Sequence, residues 1–459
     1  NRKGGSAMPK LWQKDYEIDK LIERYDVGDD YILDRELIDA DCLSSIAHAR
    51  MLAKIGILTA AEADSLRAAL AEIIELAKAG RFEIKAEDED VHTAIENHLT
   101  QKLGDLGKKI HTARSRNDQV IVDLRLYAKG KMLAVAEAAL AFGETLADFA
   151  EKHKDVPMVG RTHTQRAMPS SVGLWAGNWL ESMLDDLEFL RAAYALNDQC
   201  PLGSAASYGV PLPIDRQFTS DLLGFARLQN NVLYANTSRP KIESIILSAL
   251  AQFMVDLSRL AADCIWFSTP EFGYFELPVE LTDGSSIMPQ KRNLGMMETT
   301  RARAAVVISH LMRVLEIMRG LISGYNRDHQ EGKESLLRSF TIVHDALAVC
   351  DLTFRRMRVN EERCIAAFTA EVFATDRALE LVQAGVPFRD AYRQVAKELD
   401  SLANRDPRQA IRARTHQGGT ANLGLDIARR RLDEHGQFVH DELRKMEQVR
   451  GRLLGASGA

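Results

Sequence analysis

Apolar positions along the chain recur at steps of three and four far more often than at steps of two. That is the spacing of one helix face rather than of a strand. From Val120 a stripe runs through Leu124, Tyr127, Val135, Ala138, Phe142 and Leu146 to Phe149. A second periodic run follows Pro169 and extends to about Asn197. A third spans about Arg239 to Phe267, with Ile242, Ile245, Ala249, Phe253, Leu257, Leu260 and Cys264 on one face. A fourth covers about Arg292 to Gly324, and a fifth, shorter, about Leu337 to Met357. Such helices far exceed the common length of about 11–12 residues, and their wide apolar faces need partners on several sides. The pattern predicts an all-α protein built on a long antiparallel bundle, its apolar surface completed by other subunits.

Shorter periodic segments flank this region, so three domains are expected: an N-terminal helical domain over residues 8–111, a central long-helix domain over 112–360 and a C-terminal domain of short helices over 361–459. Thr59-Ala-Ala-Glu62 has the form of a capping box and predicts a helix start. Gly385-Val-Pro-Phe388 and Gly418-Gly-Thr420 punctuate the last region. Met8 is expected to be the natural start, and residues 1–7 are left out of the fold reading.

Composition narrows the class. Net charge is -6 with both signs interspersed, which disfavours a nucleic-acid or membrane-surface partner. Five cysteines stand apart with no C-x-x-C pair, the usage of a reduced, cytoplasmic protein. The longest apolar run, Ile245 to Val255, is ended by Asp256 and Arg259. No segment reaches the roughly 18 uncharged residues of a membrane span, and no secretory signal is expected.

Phosphate-loop, dinucleotide, nucleophile-elbow and H-E-x-x-H templates are absent. No metal-ligand spacing appears, so neither cofactor nor metal is expected. Four polar islands remain at the joints between predicted helices: residues 109–119, 160–169, 282–293 and 323–334. One polar loop is usually only a solvated connection. Four, rich in Arg, Asn, Ser and Lys at helix ends, suit a small polyanionic substrate. His163 lies in the second island, in front of a helix expected to open at Pro169. A titratable ring among polar groups, outside any apolar stripe, is a site candidate.

Gly284-Ser-Ser-Ile-Met-Pro-Gln-Lys-Arg-Asn293 closely resembles the signature loop of the fumarase/aspartase superfamily. "HTARSRNDQ" (111–119), "THTQRA" (162–167), "PLGS" (201–204), "PIDR" (213–216), "GYNRDHQEGKE" (324–334) and "GVPFRDA" (385–391) resemble its argininosuccinate lyase branch. The resemblance runs from Lys10 to about Gly424. It implies an all-α, three-domain subunit in a homotetramer around a twenty-helix core. Each active site would be shared between subunits and would act on a small-molecule substrate, argininosuccinate, releasing arginine and fumarate in arginine biosynthesis.

The resemblance also implies roles. Ser285 is the base, aided by the turn amides after Gly284 and by Lys291. His163 is the candidate acid or its orienter, paired with Glu298. Ser115, Arg116, Asn117, Thr162 and Asn293 grip carboxylates. Tyr325, Gln330 and Lys333 bind the arginine part, and Asp34 and His92 line the site. The chain departs from the family pattern at Asp30 (usually Ser), Ala113 (usually Gly), Arg161, Met168, Leu294-Gly295 (usually Pro-Asp) and Tyr392. Another fumarate-releasing carbon–nitrogen lyase, acting on a different N-substituted aspartate, is the second reading. A catalytically silent, lens-crystallin-like relative is the third, and the intact Ser285, Lys291, Asn293 and His163 argue against it.

Overall fold

The structure, a computed structural model, describes residues 19–455. The expected start of the first domain, residues 8–18, lies outside the described residues. Helices dominate. The principal ones are α1 (Ile38–Lys54), α2 (Ala60–Lys78), α3 (Val91–Leu103), α4 (Arg116–Lys152), α5 (Val172–Asn197), α6 (Arg239–Phe267), α7 (Gly295–Met318), α8 (Lys333–Arg356) and α9 (Leu425–Leu454).

Helices α4 to α8 form the predicted bundle. α4 packs on α5 and α8, and α6 lies against α5, α7 and α8. Phe142, Leu146, Leu180, Leu184, Leu250, Phe253, Phe340 and Leu347 are buried in one continuous core. Each such side chain stabilises the fold by about 1.5–3 kcal/mol relative to exposure. Phe354 of α8 ties three helices together, its ring 5.5 Å from Phe142, 5.1 Å from Phe149 and 5.7 Å from Trp175. α2 starts at the expected capping box: Thr59 accepts from the Glu62 N–H, and Glu62 accepts from the Thr59 N–H.

α6 is long and apolar enough to cross a membrane, the one such helix among the described residues, which the sequence reading did not foresee. Leu247, Leu250, Phe253, Met254 and Leu257 are buried against its neighbours. Asp256, Arg259 and Asp263 interrupt it. These are the properties of a bundle's central helix.

Two expectations change. The second island does not open a helix at Pro169. β1 (Pro157–Thr162) and β2 (Gln165–Ser171) pair antiparallel, with Val159 opposite Pro169. α5 begins at Val172, capped by Ser171, whose hydroxyl accepts from the Leu174 N–H. The hairpin is held from outside: Val159 clusters with Phe368, Val372 and Phe373, and such packing outweighs local propensity.

Nor does the last region hold only short helices, since α9 has 30 residues. Only Ala428, Leu432, His435, Val439 and Leu453 of it are buried, so its apolar stripe is thin. Ion pairs help lay it on the bundle: Arg429 reaches Glu144 and Asp148, and Arg431 reaches Asp185.

Candidate functional site

A cavity of about 970 Å³ opens where α4 begins. Ser115 caps that helix, its hydroxyl accepting from the Asn117 N–H at 3.3 Å, while Asp118 accepts from the Ser115 N–H at 2.9 Å. The other Asp118 oxygen accepts from the Gly203 and Ala205 amides at 3.0 and 2.8 Å. The "PLGS" loop is thereby fixed against the helix start. Arg216, of "PIDR", closes the loop from outside by donating to the carbonyls of Pro201, Leu202, Gln229 and Asn230. Gly203 has φ 87°, and a Cβ there would meet Arg216 Cγ at 2.7 Å. Only glycine fits that turn without strain.

Eight of the fourteen residues expected at the site line this cavity: Asp34, His92, Ser115, Arg116, Asn117, Tyr325, Gln330 and Lys333. The first and fourth islands, over 200 residues apart, therefore meet in one chain. Lys333, at the first turn of α8, is buried and donates to Asp34 at 2.6 Å, with Asp30 at 3.2 Å. Burial opposes the charge on Lys333, but the two carboxylates outweigh it and raise its pKa. Asp34 uses its second oxygen to accept from the Val91 N–H, so it positions Lys333 and the head of α3.

Arg116 sends Nη1 to Glu89 and Asp90, each at 3.0 Å. Its buried Nη2 has no hydrogen-bond partner. Glu89, Asp90, Arg114, Tyr208 and Arg239 also line the cavity, and the sequence reading did not single them out. Asp90 and Glu89 stand two and three residues before His92, and Arg114 lies inside the first island, so nearness to flagged residues was the available signal.

His92 is buried against Asp41, which contacts its Nδ1, with Asp123 at 3.6 Å. Burial pulls the ring toward neutrality, but Asp41, Asp90 and Asp34 outweigh it and hold His92 above the usual histidine value. Asp41 is held low: burial opposes its charge, and His92 with Arg114 prevails. Asp123 is pushed well above the carboxylate range by burial and by Asp41 beside it. These three form the one group among the described residues with ligand atoms within 4.8 Å of one another, a spacing suited to a metal. Within it His92 and Asp41 pair directly.

The other six expected residues lie elsewhere in the subunit. Thr162 and His163 occupy the exposed hairpin tip, where His163 and Thr164 both take left-handed backbone, φ 52° and 65°. Ser285, Lys291 and Asn293 belong to a loop closed at its base by paired Asp283 and Asn293 backbones, 2.9 Å in each direction. Ser285 Oγ accepts from the Ile287 and Met288 amides at 3.3 and 3.0 Å. Ile287 is 82% exposed. Gly295 accommodates the departure beside this loop, since a Cβ there would lie 1.7 Å from an Asp283 carboxylate oxygen. Glu298 is exposed in the first turn of α7, and no ion pair joins it to His163 within the chain.

Comparison with known proteins identifies the fold and the family. The fold is shared with the crystal structure of EDDS lyase in complex with formate (TM-score 0.82, 24% identity, 95% of this chain and 94% of that one). It is shared also with a class II fumarase from Schistosoma mansoni (TM-score 0.70, 16% identity, 86% and 95%). A family model described as Lyase matches residues 14–309, more than half the chain. The argininosuccinate lyase of Thermotoga neapolitana is 44% identical over 85% of this chain and 98% of its own length. That of Sorangium cellulosum is 44% identical over 93% and 99%. The chain belongs to the argininosuccinate lyase family.

Two outcomes follow from this geometry. Ala113 stands at φ 64° beside the cavity, a region costing a residue with a Cβ roughly 1–2 kcal/mol. Ala113→Gly should therefore raise the thermal midpoint, by about 1 kcal/mol or less once glycine's unfolded-state entropy is counted; an unchanged or lower midpoint would contradict this. His92 lies above its unfolded value, so its pairing stabilises fully below about pH 6.5 and fades as pH rises through its folded value. Asp41, held low, contributes above its unfolded value and loses that contribution as pH falls through its folded one. The midpoint should accordingly fall on the alkaline side as His92 deprotonates. In Asp41→Asn the His92 titration, followed by NMR, should move down; a titration that stays put would show that Asp41 does not set it.

Proposed function

We propose that the protein cleaves argininosuccinate reversibly into L-arginine and fumarate; in support, its relatives are named argininosuccinate lyase. The observation that carries the reading is the single cavity joining the head of α4 to the head of α8. It sets hydroxyl, amide and guanidinium groups for a succinyl unit beside a buried Lys–Asp cluster for a charged amino-acid unit.

The carbon acid next to the substrate carboxylate is weak, so the reaction demands stabilisation of the doubly charged aci-carboxylate. Ser285 is proposed as the base. Its Oγ already accepts two backbone N–H groups, which favour an alkoxide, and Lys291 adds positive charge. The C–H electron pair becomes the carbon–carbon double bond of fumarate as the carbon–nitrogen bond breaks. The departing nitrogen takes a proton, and arginine leaves as a cation. Asn293, Ser115, Arg116, Asn117 and Thr162 would hold carboxylates, and His163, paired with Glu298, would supply or orient the proton. Tyr325, Gln330 and Lys333 would hold the arginine half.

Because the hairpin tip and the Ser285 loop lie apart from the cavity in one subunit, we assign the complete site to a homotetramer with a twenty-helix core. Supporting this, α7 leaves Val306, Ile308 and Met312 exposed, at 40, 39 and 51%, apolar surface that another subunit would cover. The three-domain division at 8–111, 112–360 and 361–459 is proposed on similar grounds. Residues 361–459 contain their own small cluster of Ala378, Ala391 and Val395. Five free, buried cysteines support a cytoplasmic setting, and the reaction would serve arginine biosynthesis.

Mixing the protein with argininosuccinate and following fumarate absorbance and free arginine tests the assignment. Equal appearance of both is expected, and no reaction would overturn it. Ser285→Ala should lower turnover by roughly 10²–10⁴-fold, the range for a positioned base, and wild-type turnover in that variant would remove Ser285 from the mechanism.

A further inference from the structure

Arg239, the first residue of α6, is among the largest fully buried side chains and lines the cavity. Its Nε, Nη1 and Nη2 are all buried without a hydrogen-bond partner. Buried donors in folded proteins are nearly always satisfied, and a guanidinium offers five in a fork matched to a carboxylate. Among the described residues, the one carboxylate within 4 Å is Glu243, 3.6 Å from Nε. That carboxyl is itself pushed up to about 7 by burial, so it balances Arg239 only in part. His329 Nδ1, buried nearby and within the field of Arg239, also lacks a partner.

Opposite charge stands across the same pocket. Asp30 and Asp34 share the single ammonium of Lys333, and burial holds the Asp30 carboxyl above its usual range although Lys333 and Arg239 act against it. A buried guanidinium without hydrogen-bond partners, in the same pocket as a carboxylate that must share its cation, is the complement of an α-amino acid zwitterion.

We propose that Arg239 determines specificity for the amino-acid end of the substrate by holding its α-carboxylate, while Asp30 takes its α-ammonium. The inference rests on the lyase reading above and adds two residues to it. It gives Asp30, a departure from the family pattern, a partner on the ligand. Neither group touches the bond that breaks.

The test uses three ligands: L-arginine, agmatine, which lacks the carboxylate, and 5-guanidinopentanoate, which lacks the amino group. Each is measured by calorimetry on the assembled protein and as an inhibitor of cleavage. Wild type should prefer arginine to agmatine on the order of 10- to 100-fold, the range for a hydrogen bond between charged groups. Arg239→Gln should abolish that preference and keep the one over 5-guanidinopentanoate. Asp30→Ser should do the reverse. Arg239→Lys should retain part of the carboxylate preference. A merely structural Arg239 would weaken all three ligands in parallel and leave their ratios unchanged, which would overturn the proposal. If Arg239→Gln fails to assemble, the wild-type ratio decides, because no preference for arginine over agmatine overturns it equally. A wild type that cleaves argininosuccinate without discriminating these ligands sinks this inference alone; a wild type inert toward argininosuccinate sinks the lyase reading.

Discussion

Charge buried at the head of α4 is the constraint on which the rest of the site depends. Asp118, Asp34, Lys333 and Arg239 are each 2% exposed or less, and a charge taken out of water must be answered by hydrogen bonds or an opposite charge. Asp118 is answered by three backbone amides, two of them from the 203–205 turn. Lys333 is answered by residues 30 and 34. Distant parts of the chain are locked around one space because each supplies what another lacks. Arg239 alone of the four lacks hydrogen-bond partners.

The locked half and the other half differ in kind. The cavity wall is built from helix heads joined by buried ion pairs, a rigid support for recognition. The Ser285 loop is tied at its base by Asp283 and Asn293 and carries Ile287 into solvent. On the proposed mechanism the wall selects the substrate, and the loop brings the base while excluding water. Left-handed backbone occurs at Ala205, which lines the wall, and at Ala113 and Ser207, each next in sequence to a lining residue, the kind of strain that persists where surrounding structure over-determines it.

The long helices were legible because their stripes are wide. The run read from Arg239 to Phe267 is the helix Arg239–Phe267 itself. The Thr59 box was legible because capping is local chemistry. The hairpin was not. Its turn has no Asn-Gly or Asp-Gly, and His163 and Thr164 adopt left-handed backbone without glycine's help. Pro169, which reads as a helix opener, sits in a strand. α9 escaped because its buried stripe is thin and its ion pairs are long-range. In the site, the polar islands were legible as islands through the family's motifs, but that the first and fourth meet in one chain was not, because it depends on tertiary packing. The unfilled state of Arg239 was not: Ser-Arg-Pro reads as an ordinary helix start, and only tertiary burial shows that its donors are empty.

Division of the site between subunits is the central proposal, because it reconciles a cavity lined by eight of the expected residues with the proposed acid and base, and with Thr162 and Asn293, lying outside it. Subunit exchange between Ser285→Ala and His163→Asn proteins tests it most directly. Each variant alone should be nearly inactive. Mixed and exchanged, they should regain a substantial fraction of wild-type turnover, since some sites would then draw Ser285 and His163 from intact chains. No recovery despite demonstrated exchange would mean that both residues come from one chain, and the shared-site account would be wrong.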